Sequence, residues 1–224
     1  MILKSFKERF FTVKQALKNR SIIYLLTKVF YNYWFDIKYM LNTSSFKYIH
    51  ELQIESENKI YGKPYMPTDY LIFRDLFKSL NCNFQEYTFV DFGSGKGKVL
   101  LLASEYGFKQ LKGIEFSKEL CDICTNNINK IQKRKKKKLN IQVFFLDAVM
   151  YEINPVDNFF YFYNPFEQEV FKRVLDNIDQ SISKYKRKVY IVYVKPLYKD
   201  LLIKRPYKIL YNIENEAIIY TNET

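Results

Sequence analysis

The chain has 224 residues, nearly half of them apolar, and a net charge of +12. That length suits one α/β domain with a sizeable core plus an extension, and the apolar share excludes a disordered chain. The basic balance suits an acidic partner such as nucleic acid or anionic lipid, but Lys is raised throughout a chain also rich in Asn, Ile, Tyr and Phe, so base bias is the simpler account.

Residues 1–60 read as a helical extension or cap. Leu3, Phe6, Phe10, Val13 and Leu17 recur at three- and four-residue steps, one face of a helix, with Lys4, Lys7, Arg9, Lys14 and Lys18 on its other faces. A second such pattern follows in Ile22, Leu26, Val29, Tyr33 and Trp34. The run 21–35 is too short for a membrane span and is interrupted by Lys28. The charged start and the lack of a small-residue cleavage site argue against a signal peptide. A basic amphipathic helix is suited to an anionic membrane surface. The expectation is instead a cap on the domain that follows, because most apolar stripes at helical spacing are core faces. Residues 42–59 are polar and carry no clear element.

Residues 61–224 read as the main α/β domain. Gly62, Pro64 and Pro67 make a loop, and Thr68 is placed to N-cap the apolar stretch from Asp69. Thr88-Phe-Val-Asp91-Phe is a strand, Gly93, Ser94, Gly95 and Gly97 a tight turn, and Val99–Ala103 the start of a helix. Such a turn lets a ligand approach the backbone, and the helix behind it offers free N–H groups. A second strand closes at Glu115-Phe116, an acid about twenty residues after the glycines and so placed to accept ribose hydroxyls. A third ends at Asp147-Ala148, and a fourth, Asn158–Tyr163, stops at Asn164-Pro165-Phe166. Each polar group sits where a strand ends, which is where ligands bind in open α/β sheets.

Ser117–Ile131 reads as a helix, so Cys121 and Cys124 lie inside it and not at its start, where redox pairs sit. With Cys82 they make neither a disulfide framework nor a metal site, and no metal is expected. Reduced cysteines suit the cytoplasm. The block Lys133–Lys138 follows that helix as a solvated run. Residues 167–185 form a helix, Lys188–Lys195 a fifth strand, and Tyr207–Ile213 with Ala217–Tyr220 a closing hairpin.

Alternating strands and helices imply a doubly wound, mostly parallel sheet with helices on both faces, closed by one antiparallel strand. A nicotinamide enzyme is the rival for a glycine-rich turn. Its pattern needs a third glycine three positions after the second, where this chain has Lys98. The spacing argues against a pyrophosphate ligand.

These residues carry a resemblance. From about Tyr61 onward the chain resembles the class I S-adenosylmethionine-dependent methyltransferases, through Asp-Phe-Gly-Ser-Gly-Lys-Gly above all. Tyr65-Met-Pro-Thr68, Gly-Ile-Glu-Phe-Ser and Tyr-Asn-Pro-Phe narrow this to a bacterial group of unassigned substrate, and the glycine turn is also similar to that of seven-stranded protein-lysine methyltransferases. The resemblance implies seven strands in the order 3-2-1-4-5-7-6 with strand 7 antiparallel. It implies S-adenosylmethionine as cofactor. Asp91 and the glycine turn (Gly93, Ser94, Gly95, Gly97) would hold the methionine part, Glu115 and Phe116 the ribose side, and Asp147 and Ala148 the adenine. Tyr65 and Thr68 would fold over the cofactor, and a ring there attracts a sulfonium cation. Asn164 and Phe166 would lie beside the reacting methyl. The expected acceptor is a nitrogen, with protein lysine favoured. A single proline after Asn164 puts a nucleobase in doubt. RNA methylation, or a non-catalytic cofactor- or RNA-binding module on the same fold, is the alternative.

Overall fold

The computed structural model describes residues 22–222. Its strands are β1 (Thr88–Phe92), β2 (Gln110–Glu115), β3 (Ile141–Phe145), β4 (Asp157–Tyr163), β5 (Tyr190–Val194), β6 (Lys208–Ile213) and β7 (Ala217–Thr221). They form one sheet in the order β3-β2-β1-β4-β5-β7-β6. The first five are parallel, and β7 runs antiparallel to both β5 and β6. This is the order and strand polarity expected from the sequence.

The central strands are apolar on both faces because both faces are covered. Phe89, Phe159, Tyr161 and Val192 point into one core, Val90, Phe92, Phe160 and Phe162 into the other. The first core is closed by α2 (Tyr70–Lys78), α3 (Lys98–Ala103) and α4 (Lys118–Lys135), the second by α5 (Gln168–Lys184). Burying a Phe-sized side chain stabilises a fold by roughly 1.5–3 kcal/mol, so these stacked aromatic layers hold the sheet firmly. Between the layers, Lys112 and Asp157 form a buried ion pair at 2.7 Å, and the Tyr151 hydroxyl donates to the same carboxylate at 2.8 Å. A four-residue helix α6 (Asp200–Ile203) precedes the hairpin.

The second N-terminal pattern is a helix, α1 (Ile22–Tyr39), which packs on α2 and α4. Tyr31 stacks on Tyr70 at 5.3 Å, Lys28 pairs with Asp69 at 2.6 Å, and the Asn32 side chain accepts the Tyr70 N–H at 2.9 Å. The Leu3–Leu17 stripe lies outside the described residues. Among the described residues no helix is long and apolar enough to cross a membrane.

Three local expectations are corrected. Asp69 caps α2, accepting the Leu71 N–H at 2.9 Å, whereas the Thr68 hydroxyl lies 3.5 Å from that of Tyr161. The α4 helix runs on to Lys135 and stops at Lys136, whose φ of 48° is left-handed. Residues 42–59 are built: turns of 3₁₀ helix occupy Ile49–Glu51 and Glu57–Tyr61, and Lys47 bridges to Tyr65.

Candidate functional site

At the carboxyl edge of β1–β4 lies a cleft. One wall comes from the sheet. It carries Asp91 in β1 with Gly93 and Ser94 after it, Glu115 at the end of β2 with Phe116 after it, Asp147 and Ala148 after β3, and Asn164 and Phe166 after β4. The opposite wall is N-terminal and includes Leu52, Asn58, Gly62, Tyr65 and Thr68. Of the residues singled out in the sequence, Gly95 and Gly97 do not line the cleft. A Cβ on Gly97 would sit 2.4 Å from the Cys124 sulfur, so that glycine lets α4 approach the turn.

The other two glycines serve close approach. Gly93 has φ +77°, and a Cβ there would meet the Pro165 ring at 2.6 Å. Gly95 has φ +53°, and its Cβ would lie 2.3 Å from the Tyr65 ring. The Tyr65 hydroxyl donates to the Thr43 carbonyl at 2.6 Å, so this ring is locked between the two walls. Burial holds its pKa well above the ordinary tyrosine value, so it stays a neutral donor.

Two carboxylates dominate the electrostatics. Glu115 accepts the Gly95 N–H on one oxygen and the Ser117 N–H on the other, both at 2.9 Å. Burial still pushes its pKa up to about 7, against the pull of those backbone donors. Asp91 is pushed well above the usual carboxylate range, first by burial and then by Glu115. Two buried acids that repel each other fit a ligand that brings hydroxyl donors and positive charge. The buried Ser94 hydroxyl, beside them, has no partner of its own.

Asp147 is engaged differently. One oxygen caps its own turn by accepting the Val149 N–H at 3.0 Å. The other accepts from the Ser56 hydroxyl and from the Asn58 amide, the latter at 2.8 Å. The end of the cleft assigned to adenine is therefore shared between the sheet and the N-terminal wall.

At the opposite end Asn164 has φ 41°, a left-handed turn conformation. Its side-chain oxygen accepts from the Tyr193 hydroxyl at 3.0 Å, and that hydroxyl accepts the Tyr198 N–H at 3.3 Å. Phe166 bridges to Gly62 across the cleft, flanked by Lys63 N–H to the Pro165 carbonyl at 3.1 Å and Glu167 N–H to the Tyr61 carbonyl at 2.8 Å. The Glu167 carboxylate receives both Lys63 and the Tyr198 hydroxyl, and these hold its pKa below the usual value.

Sequence reasoning missed Ser56, Asn58 and the Lys96/Lys98 pair. Lys96 donates to the Ser45 carbonyl at 2.9 Å and to the Ser45 hydroxyl. Lys98 reaches the Asn32 side-chain oxygen at 3.2 Å, and burial lowers its pKa to about 8. Both ammonium groups thus tie the glycine turn to the extension. Two lysines flanking the last glycine were the available signal. Ser56 and Asn58 carry none.

The sequence model of the family described as "Histone methylation protein DOT1" matches residues 50–200. The chain belongs to this family. No curated protein matches. Among solved structures, the DOT1-family chain is similar to yhhF from Escherichia coli, described as a methyltransferase (13% identity, 77% of this chain and 92% of that one, TM-score 0.56). A SAM-dependent methyltransferase from Aquifex aeolicus gives 12% identity, 66% and 87% coverage and a TM-score of 0.51. A StiE O-methyltransferase segment gives 12% identity, 63% of this chain and a TM-score of 0.49, and the chain spans about half of that protein's length, 53%. Family and fold together identify a class I S-adenosylmethionine-dependent methyltransferase domain, with S-adenosylmethionine as its cofactor. The residues present fit that cofactor. Two buried acids and an unpartnered serine hydroxyl line the glycine-turn side, with a polar end at Asp147 and a closed end at Asn164-Pro165-Phe166.

Proposed function

We propose that the protein transfers a methyl group from S-adenosylmethionine to a nitrogen acceptor, with a protein lysine favoured. The observation that carries this reading is Asn164-Pro165-Phe166 at the carboxyl end of β4, in the same cleft as Asp91 and Glu115. The family's description by histone methylation supports a protein acceptor. When bound, S-adenosylmethionine supplies an electrophilic methyl on a sulfonium sulfur. The chain then has to align a nucleophile and keep water out. Glu115, braced by two backbone N–H groups, is set to take ribose hydroxyls, and Asp91 to take the cationic end of the methionine part. Phe166, Pro165 and Tyr65 wall the reacting end. Tyr193 holds one lone pair of the Asn164 oxygen, so the side chain keeps one orientation and its second lone pair is available to an acceptor N–H. The reading includes a cytoplasmic location, supported by three free cysteines.

The test is incubation of the purified protein with methyl-labelled cofactor and a cell lysate, followed by fractionation. Label in protein, recovered as methyl-lysine after hydrolysis, is the expected outcome. Label in RNA would overturn the acceptor class and keep the reaction. Absence of label everywhere, with cofactor still bound, would leave a binding module.

A further inference from the structure

The outer side of α1 is apolar. Ile23, Leu26, Phe30, Trp34 and Ile37 follow one another at three- and four-residue steps and are 75%, 64%, 56%, 48% and 69% exposed. Phe30 stacks on Trp34 at 5.5 Å, and Val29, Tyr33 and Met40 are exposed beside them. Of the helix's three charged residues, two are turned to the domain: Lys28 pairs with Asp69 at 2.6 Å, and Asp36 accepts from Thr43 and Ser44. The third, Lys38, is exposed one turn beyond Trp34. None of the outer residues lines the cleft. A continuous exposed apolar face of this kind marks a contact surface.

The basic block Lys133–Lys138 is fixed against the C-terminal end of that face. The Arg134 guanidinium donates to the Lys38 carbonyl at 3.3 Å, Lys130 donates to the Met40 carbonyl at 2.9 Å, and the Lys135 ammonium lies 5.3 Å from the centre of the Tyr39 ring. Lys135 is paired with Glu105, whereas Lys133, Arg134, Lys136, Lys137 and Lys138 are exposed, and residues 130–138 contain no acid. The structure thus sets an apolar, aromatic-bearing helix face beside a cluster of cations.

We propose that the outer face of α1 and the block Lys133–Lys138 form one docking surface for an anionic lipid bilayer. The helix lies flat on it, with Trp34 at the boundary between headgroups and acyl chains and the block among the headgroups. Charge complementarity selects this occupant: the cations meet anionic headgroups while the aliphatic side chains leave water. RNA would use the cations and the rings but leave Ile23, Leu26 and Ile37 wet. A second copy would bring its own net charge of +12 against the first. The inner side of α1 stays tied to the glycine turn through Asn32 and Lys98, so the cleft is carried on the surface. The proposal stands whatever the methyl acceptor is.

The test mixes the full chain with vesicles of phosphatidylcholine, pure or with one-quarter phosphatidylglycerol. Trp34 is the chain's only tryptophan, so its emission reports this face. With phosphatidylglycerol the protein should co-sediment, its emission should shift to the blue, and acyl-brominated lipid should quench it. Pure phosphatidylcholine should bind at least about tenfold more weakly. Lys133→Gln with Lys137→Gln and Lys138→Gln should lower affinity for anionic vesicles about 10²-fold, each cation near such a surface being worth about fivefold. The same charge removed across the sheet, Arg173→Gln with Lys184→Gln and Lys186→Gln, should leave affinity within a few fold. Ile23→Gln with Ile37→Gln should weaken binding about tenfold. Melting temperatures check that the variants fold, and bromine quenching in the wild type reads the same face with no substitution. Failure to co-sediment with anionic vesicles would overturn the proposal. So would binding without blue shift or bromine quenching, equal losses from the α5-side variant, or a blue-shifted indole that tracks self-association without lipid. A complex with single-stranded RNA that anionic vesicles fail to displace would also overturn it, and give the surface to nucleic acid.

Discussion

The two walls of the cleft are held by different forces. The sheet-side wall hangs from strand ends whose positions are set by parallel ladders and stacked Phe layers: β1 is buried along its whole length and pairs residue for residue with β2 and, after one register shift between Thr88 and Phe89, with β4. The N-terminal wall has no strand and only 3₁₀ turns. Two main-chain rungs tie it to the loop after β4, and the rest of its length is held by side-chain bonds such as Asp36 to Thr43 and Ser44, Lys96 to Ser45, Asn127 to Asn42, and Ser56 and Asn58 to Asp147. A wall set by a ladder loses little from one substitution. A wall set by single bonds loses its position when one of them goes. The strand-end side chains are thus fixed by the sheet, and those of the extension largely by single contacts.

The largest expected effect would break the rigid side from below. Lys112→Ala leaves Asp157 as an uncompensated buried carboxylate, and removal of one partner of such a pair costs about 3 kcal/mol or more. Urea unfolding should show it as a lower midpoint at unchanged slope. A loss below about 1 kcal/mol would mean that Tyr151 and the Asn154 N–H suffice to hold that charge.

Next comes the chemistry mounted on that wall. Asn164→Gly removes the side chain and suits the positive φ, so backbone strain is not introduced. Turnover should fall by about 10² while cofactor affinity stays within a few fold. Near-normal turnover would strip Asn164 of its role. At the other carboxylate, Glu115→Gln keeps shape and loses charge-assisted bonds worth roughly 1.5–3 kcal/mol, one to two decades of cofactor affinity.

Glu115 also sets a pH dependence. Its folded pKa of about 7 lies above the unfolded value, so between roughly pH 4.5 and 7 the folded cofactor-free protein holds a proton that the unfolded chain has lost. Stability therefore falls as pH rises through that window and levels off above it. Cofactor affinity moves the other way, rising toward pH 7 as the ligand recruits the ionised form. Both slopes should flatten in Glu115→Gln, by thermal melts and calorimetry across pH 5 to 8.

The smallest effect sharpens the contrast from the adjustable side. Asp36→Asn weakens the anchors of Thr43 and Ser44 and should cost about 1 kcal/mol. Amide exchange should accelerate in residues 42–68 and stay unchanged in β1 and β4. Exchange rising equally in both would show the two walls to be one cooperative unit.

The same division explains what the sequence disclosed. Every sheet-side group was legible, because an apolar run ending in a polar residue marks a strand end, and topology then gathers those ends at one edge. Asp91, Glu115, Asp147 and Asn164 were all found that way. The stretch 42–59 has no periodicity to read, so nothing in the sequence singles out Ser56 and Asn58. Two capping residues adjoin at Thr68-Asp69, and the structure uses the second, the stronger acceptor. Lys96 and Lys98 are nearly fully buried, which composition argues against for any lysine, and only the fold supplies the carbonyls and hydroxyls that make it tolerable.

The bridge between Gly62 and Phe166 gives the cleft two unlike ends. Main-chain rungs on both sides of that bridge stitch the N-terminal wall to the loop after β4. Toward Asp147 the same wall is fastened by the side chains of Ser56 and Asn58. The Asn164 end therefore parts only if backbone hydrogen bonds break, whereas these two bonds at Asp147 are released by rotamer changes alone.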